Sequence, residues 1–283
     1  MLIDKPSGWT SHDAVAVVRR QLGLRAVGHT GTLDPFATGL LVVFVGRATR
    51  LARFVEASRK AYTAVIRLGV ATDTEDGTGQ VTASATPASW PTRSEVSATL
   101  EGFLGISAQR PPIYSAKHVA GTRSYELART GKAVTLDPVE IRVDALELRS
   151  WEPPDITVEA VVGKGTYLRA LARDVGERLG LPAHCAELRR TRVGPFDVAD
   201  AIRPEQVTAA VVRTPAAMMR HLPQVELDAQ AITDVGFGRP VARIDGGGSA
   251  GPVSLLAPDG RLIAVAEARG EVWQPVVVLE PAA

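Results

Sequence analysis

No apolar run in this sequence is longer than the six residues from Leu40 to Val45. That limit excludes a membrane-spanning helix, which needs roughly 20 such residues. It also requires the core to be assembled from short strands and amphipathic helices. Material for such a core is ample, because 45% of the 283 residues are apolar and 22% are charged, a balance that opposes wholesale disorder. The length suits one large domain, or a main domain with a small satellite. The single cysteine, Cys185, excludes an intramolecular disulfide and every multi-cysteine metal site. Met1 to Pro6 lacks the basic stretch, apolar stretch and small-residue cleavage site of a secretory signal, so a cytoplasmic location is expected.

Leu40 to Val45 reads as a buried strand. Tyr62 to Leu68, Ile141 to Leu148 and Ile156 to Val162 also read as strands, by alternation or by β-branched content. Apolar spacing predicts three helices. The first covers His12 to Leu22, capped by Ser11 and closed by Gly23. The second covers Ser94 to Leu104, with Val96, Leu100, Phe103 and Leu104 inward. The third runs from Tyr167 to Leu179, capped by Thr166 and ended by Gly180. Between the second helix and the Ile141 strand lies a polar, basic excursion, Gln109 to Leu136. After about Pro223, turns rich in Gly and Pro separate the short apolar runs Val253 to Leu256, Leu262 to Val265 and Val276 to Leu279. That spacing predicts a small all-β module, residues 223–283, beside a mixed α/β body, residues 1–222.

A net charge of +1 conceals an uneven distribution: residues 19–60 carry +6 and residues 163–194 carry +4, while the intervening and flanking segments are acidic. If folding joins the two basic segments, they make a cationic surface suited to a phosphate backbone. Solvated arginine-rich helix faces would explain the same charges.

Several chemical signatures are absent. Gly163-Lys164-Gly165-Thr166 has an extra Gly between Lys and Thr, unlike a nucleotide-binding P-loop. The five histidines show no metal-ligand spacing, and no metal or cofactor is expected. The remaining candidate is Asp34 in the run from Gly28 to Gly39, Gly-His-Thr-Gly-Thr-Leu-Asp-Pro-Phe-Ala-Thr-Gly. An isolated Asp-Pro is ordinarily a turn. Here, glycines at 28, 31 and 39 permit close approach, and the following buried strand would hold the carboxylate on a rigid element.

This run closely resembles the catalytic motif of the TruB family, the bacterial tRNA pseudouridine-55 synthases. The likeness continues in order through Asp4-Lys5-Pro6-Ser7-Gly8, Lys60-Ala61-Tyr62, Thr72 to Gly77, Pro112 to Lys117, Gly163 to Arg169 and Leu188-Arg189-Arg190. It implies a pseudouridine synthase fold of α+β type, with a mixed sheet, an RNA-gripping insertion at about 109–136 that is mobile before RNA binds, and a C-terminal PUA-like barrel. It also implies the roles of single residues. Asp34 matches the catalytic aspartate, and Tyr62 the tyrosine that stacks on the uracil and is a proposed proton acceptor. Arg169 matches the arginine paired with the aspartate. Tyr167 and Leu188 match their neighbours, His29 the histidine that holds the flipped RNA loop, and Asp76 an acidic contact to the flipped nucleotide. Lys117 falls in the insertion, facing RNA.

The expected partner is the T-loop of tRNA, with no membrane and no obligate protein partner, and the expected state is a monomer. Few residues precede Asp4, so the expectation is either a short first strand or a start codon placed elsewhere. The chemistry has its own demand: a partly buried carboxylate stays ionised only beside a cation, and a guanidinium does this best. Joining Asp34 to Arg169 would also join the two basic segments. From the residues alone two rivals stay open. One is an RNA-binding protein with a vestigial pocket. The other is a glycoside hydrolase pairing Asp34 with Asp73 or Asp76.

Overall fold

The computed structural model describes residues 1–114, 118–119, 122–123, 136–243 and 251–281, the side chains of residues 118, 119, 122 and 123 excepted. Alternating sequence becomes a mixed sheet that runs through the body. Its strands are β1 (Leu2–Lys5), β2 (Val27–Thr30), β3 (Thr38–Val45), β4 (Lys60–Leu68), β7 (Gly105–Gln109), β10 (Val139–Glu152), β11 (Asp155–Val162), β12 (Ala183–Val193) and β13 (Phe196–Asp197). The main path is β1-β3-β12-β4-β11-β10-β7, with β2 on β3 and β13 on β12. Only the β3–β12 contact is parallel within it. Two short hairpins stand apart: β5 (Val70–Thr72) with β6 (Val81–Ser84), and β8 (His118–Val119) with β9 (Thr122–Arg123).

On β4, Lys60, Tyr62, Ala64, Ile66 and Leu68 alternate inward, while Arg67 is exposed. The helices α3 (Arg93–Glu101) and α4 (Leu168–Arg178) bury their stripes against this face. A separate cluster joins α1 (Ser11–Leu22) to Ile3, Leu41 and Val43. A short helix, α2 (Ala52–Glu56), follows a 3-10 turn, Gly46–Leu51.

Three helix boundaries differ from the sequence reading. The cap of α1 is Thr10, in a reciprocal capping box with Asp13; Ser11 lies inside the helix. Helix α3 ends at Glu101 before Gly102, so Leu104 is exposed instead of inward. Helix α4 receives no side-chain cap from Thr166 or Tyr167. The buried Gln109 takes that place: its amide accepts from the Tyr167 N–H at 2.9 Å and donates to the Tyr167 carbonyl at 3.2 Å.

Past a one-turn helix, α5 (Pro215–Met218), the chain enters a second, five-stranded sheet. Its strands are β14 (Gln224–Glu226), β15 (Val241–Ala242), β16 (Val253–Leu256), β17 (Leu262–Arg269) and β18 (Val272–Val278), in the order β14-β16-β17-β18-β15. It forms a half-barrel. The module also contains a helix, α6 (Ala229–Gly236), so it is not purely β. It is docked on the body: Leu262, Val265, Val277 and Leu279 share one buried cluster with Leu40, Val42, Phe44 and Met218. Arg47, Arg50 and Arg53 donate to the carbonyls of Leu279, Val278 and Val276 at 3.3, 2.9 and 3.4 Å. Among the described residues, no helix is long and apolar enough to cross a membrane.

Candidate active site

The loop between β2 and β3 is pinned from two sides. From the N-terminal segment, the Ser11 hydroxyl accepts from the Leu33 N–H at 2.9 Å and donates to the Leu33 carbonyl at 3.2 Å. Ser7 donates to the Phe36 carbonyl, and the Gly8 N–H to the Pro35 carbonyl. Lys5, fully buried, donates to the carbonyls of Pro6, Trp9 and Pro35. Its burial lowers its pKa to about 8, with the charge of Asp34 opposing the shift.

From the opposite side, Arg190 on β12 is also buried and donates to the carbonyls of Leu40 at 2.7 Å and Gly31 at 3.0 Å. The parallel β3–β12 contact brings the two backbones so close that only glycine fits at 39. Its φ is +102°, and an added Cβ would lie 2.3 Å from the Arg190 carbonyl oxygen.

Held this way, Asp34 meets Arg169 at the start of α4. Arg169 Nε donates to Asp34 Oδ2 at 2.9 Å and Nη2 to Oδ1 at 3.2 Å, a two-pronged pair. Nη1 donates to the Thr74 carbonyl at 2.7 Å, and Nη2 also to the Tyr114 carbonyl at 2.8 Å. The arginine is only 4% exposed, whereas the Asp34 side chain is 35% exposed. The guanidinium is therefore built into the protein while its carboxylate partner remains open to a ligand.

Asp76 is the second acidic group here. Its Oδ1 accepts from the Thr74 hydroxyl and from both the N–H and hydroxyl of Thr78, and its Oδ2 lies 4.0 Å from Arg169 Nε. A carboxylate with one oxygen held by three donors and the other facing the cation that Asp34 uses is poorly suited to be one of an independent acid–base pair; Asp73, for its part, accepts from the Gln80 N–H. Neither arrangement favours a glycoside hydrolase.

Tyr62 and Leu188 are buried in one cluster with Leu33 and Leu168, the chain neighbours of Asp34 and Arg169. The register explains it: Tyr62 opposes Arg190, and Leu188 opposes Ala64, on the same face. Tyr167 is half-buried between Gln109 and α4. His29 lies on β2, edge-on to His12 with centroids 6.1 Å apart, and its Nδ1 is buried without a hydrogen-bond partner. Burial lowers its pKa, helped by His12 and Arg190, so the ring is neutral at ordinary pH. Lys117 falls outside the described residues, as does most of the excursion.

The two basic segments do meet, at the β3–β12 contact, but much of their charge is used internally. Lys60, Arg169 and Arg190 are buried, Arg189 pairs with Asp4, and Arg47, Arg50 and Arg53 hold the C-terminal module. Among the described residues no group of His, Cys, Asp and Glu could hold a metal ion. The holds of Ser11 and Arg190 on the Asp34 loop, and of Gln109 on the start of α4, are roles that the sequence reading did not assign. The Thr10-x-x-Asp13 spacing is the one local signal that would have released Ser11 from the capping role.

Comparison with known proteins adds an independent line. The family model for TruB family pseudouridylate synthase, N-terminal domain, matches residues 19–168. Those for the tRNA pseudouridylate synthase B C-terminal domain and for tRNA pseudouridine synthase II, C-terminal, match residues 169–227 and 222–280. The chain belongs to the TruB family. Among its relatives is tRNA pseudouridine synthase B of Thermobifida fusca, 43% identical over 98% of this chain and 97% of the relative. The Symbiobacterium thermophilum protein of the same name is 47% identical over 83% of this chain and 80% of the relative. A solved Cbf5-Nop10-Gar1 complex superposes with a TM-score of 0.75 at 26% identity, covering 99% of this chain and 85% of that one. In this TruB family member the boundary between the first two matched regions falls between Leu168 and Arg169, so the Asp34–Arg169 pair joins them.

Proposed function

We propose that this chain is an isomerase that converts a uridine of tRNA to pseudouridine, at the T-loop position 55 of its family. Asp34 is the catalytic carboxylate, Arg169 its partner, and Tyr62 the ring that stacks on the extruded base. Residues 1–222 carry the chemistry with the insertion at about 109–136, and residues 223–283 form the PUA-like module. Tyr167, Leu188, His29 and Asp76 line the path of the RNA, and Lys117 of the insertion serves as a further RNA-binding residue. The chain works as a monomer, without cofactor, membrane or obligate protein partner.

The observation that carries this reading is the two-pronged Arg169–Asp34 pair with its exposed acid and buried guanidinium. The reaction cleaves the N1–C1′ bond, turns the uracil and joins C5 to C1′; the C5 proton is released and N1 takes one up. A carboxylate anion serves it either as nucleophile or as base at the sugar. Arg169 keeps the anion oriented, and two of its three remaining N–H donors are anchored on the backbone carbonyls of Thr74 and Tyr114. The target must leave its stack, at a cost of a few kcal/mol, and a ring such as Tyr62 returns roughly 1–3 kcal/mol by stacking.

The test is tritium release from tRNA transcribed with 5-tritiated uridine, comparing the wild-type chain with Asp34→Asn. Release from the wild type alone is expected, and carbodiimide-dependent primer extension should place the product in the T-loop. Equal release from both proteins would remove Asp34 from the chemistry.

A further inference from the structure

Arg169 has a neighbour one turn along α4. Arg173 Nη1 lies 2.5 Å from Glu75 Oε1, and its Nη2 donates to the Arg110 carbonyl at 2.9 Å. Arg169 itself donates to the carbonyls of Thr74 and Tyr114. The two arginines thus grip the same two segments, the loop from Thr72 to Thr78 and the stretch from Arg110 to Tyr114 that leads into the insertion. Arg173 is steadied by Asp174, 2.7 Å away. Its contact with Glu75 is largely removed from water, the side chains being 22% and 16% exposed.

Glu75 is also the one described non-glycine residue with a positive φ, +60°, a conformation that side chains disfavour. Its carbonyl accepts from the Cys185 N–H at 3.0 Å and its N–H donates to the Thr72 carbonyl at 3.2 Å. The strained residue therefore sits between Thr74, whose carbonyl Arg169 takes, and Asp76, which lies beside Arg169.

We propose that Arg173, acting through Glu75 and the Arg110 carbonyl, is a positioning residue that ties the entrance of the insertion to the orientation of Arg169, and through it of Asp34. The proposal rests on the function assigned above. Without the Arg173–Glu75 contact the loop is free to leave its strained conformation. The Thr74 carbonyl then shifts, and the guanidinium that aims Asp34 shifts with it.

The experiment compares wild type, Arg173→Met, Arg173→Lys and Glu75→Gln on unmodified tRNA transcript. Single-turnover pseudouridine formation at saturating enzyme and tRNA Kd by filter binding are read in parallel, at a temperature where circular dichroism shows each protein folded. Arg173→Met is expected to slow the single-turnover rate roughly ten- to hundredfold, the scale of a small misplacement of a reacting group, with Kd within about threefold of wild type. Arg173→Lys, which keeps the charge, should recover part of the rate, and Glu75→Gln should fall between. If Arg173→Met does not fold, the other two variants carry the test. An active wild type whose variants all turn over within about threefold of it overturns the proposal. So does a loss confined to Kd. A wild type that makes no pseudouridine overturns the assigned function instead.

Discussion

Replacing Arg169 by Lys separates what its charge contributes from what its shape contributes. Lysine keeps the positive charge but presents three donors from one nitrogen, and it cannot span Asp34 and the carbonyls of Thr74 and Tyr114 together. Hydrogen bonds to a charged partner contribute about 1.5–3 kcal/mol each, and a buried acceptor left unmet costs about 1–3 kcal/mol. Asp34 is a third exposed, so its share belongs at the lower end. With one carbonyl left unmet and one prong lost, Arg169→Lys should destabilise the fold by about 2–4 kcal/mol. At roughly 2–4 °C per kcal/mol for a chain of this size, Tm falls by about 5–15 °C.

The effect on turnover should exceed the effect on folding, because the carboxylate loses its second contact and swings. Misplacement of this kind costs about 10²-fold in rate. Differential scanning calorimetry gives the first number and single-turnover tritium release at saturating enzyme gives the second. A Lys variant that is folded and works within threefold of wild type would refute the argument that the two-pronged geometry, beyond the charge, aims the acid.

Tyr62→Phe keeps the buried ring and removes the hydroxyl, so tRNA Kd should be unchanged while product formation stalls after glycosidic cleavage; normal turnover would deny the hydroxyl its proton-transfer role. Gly39→Ala sets a Cβ against the Arg190 carbonyl at a positive φ, and overpacking plus strain should cost about 2–5 kcal/mol, read as a lower urea midpoint; an unshifted midpoint would show that β3 and β12 can part at no cost. Lys60 is buried, donates to the Glu56 and Ser58 carbonyls, and has its pKa lowered from 10.5 to about 8, first by burial and then by Arg190. Between those values the unfolded chain keeps the proton that the folded chain lacks, so the contribution of Lys60 to stability rises with pH across that window. Relative to wild type, Lys60→Met should therefore lose about 1 kcal/mol per pH unit from pH 8 upward; a constant difference in urea midpoints would contradict this.

What the sequence disclosed was whatever leaves a local pattern. The alternation in β4 and β11 and the stripes of α1 and α4 reflect burial of every second residue or of one helix face, so they could be read directly. Leu104 was misplaced because helical spacing was carried past Gly102, where the helix stops. Strand β7 lies at the sheet edge and is mostly exposed, so it shows no alternation. Helix α6 was hidden among turn signals. Arg169 reads as a solvated helix position because it is off the apolar stripe. Its burial follows from acceptors at residues 34, 74 and 114, and no window around residue 169 contains them. Asp34 was legible because a motif encloses it; Ser11, Gln109 and Arg190, which fix its surroundings, act across 22, 58 and 150 residues.

The clamps on the Asp34 loop also impose an order on its completion during synthesis. Lys5, Ser7 and Ser11 leave the ribosome before the loop they hold, whereas Arg169 and Arg190 emerge more than a hundred residues after it. A nascent chain halted between these points carries the acid without its guanidinium and without the strand beside Gly39. Products truncated between these points therefore cannot present the completed Asp34–Arg169 pair to RNA.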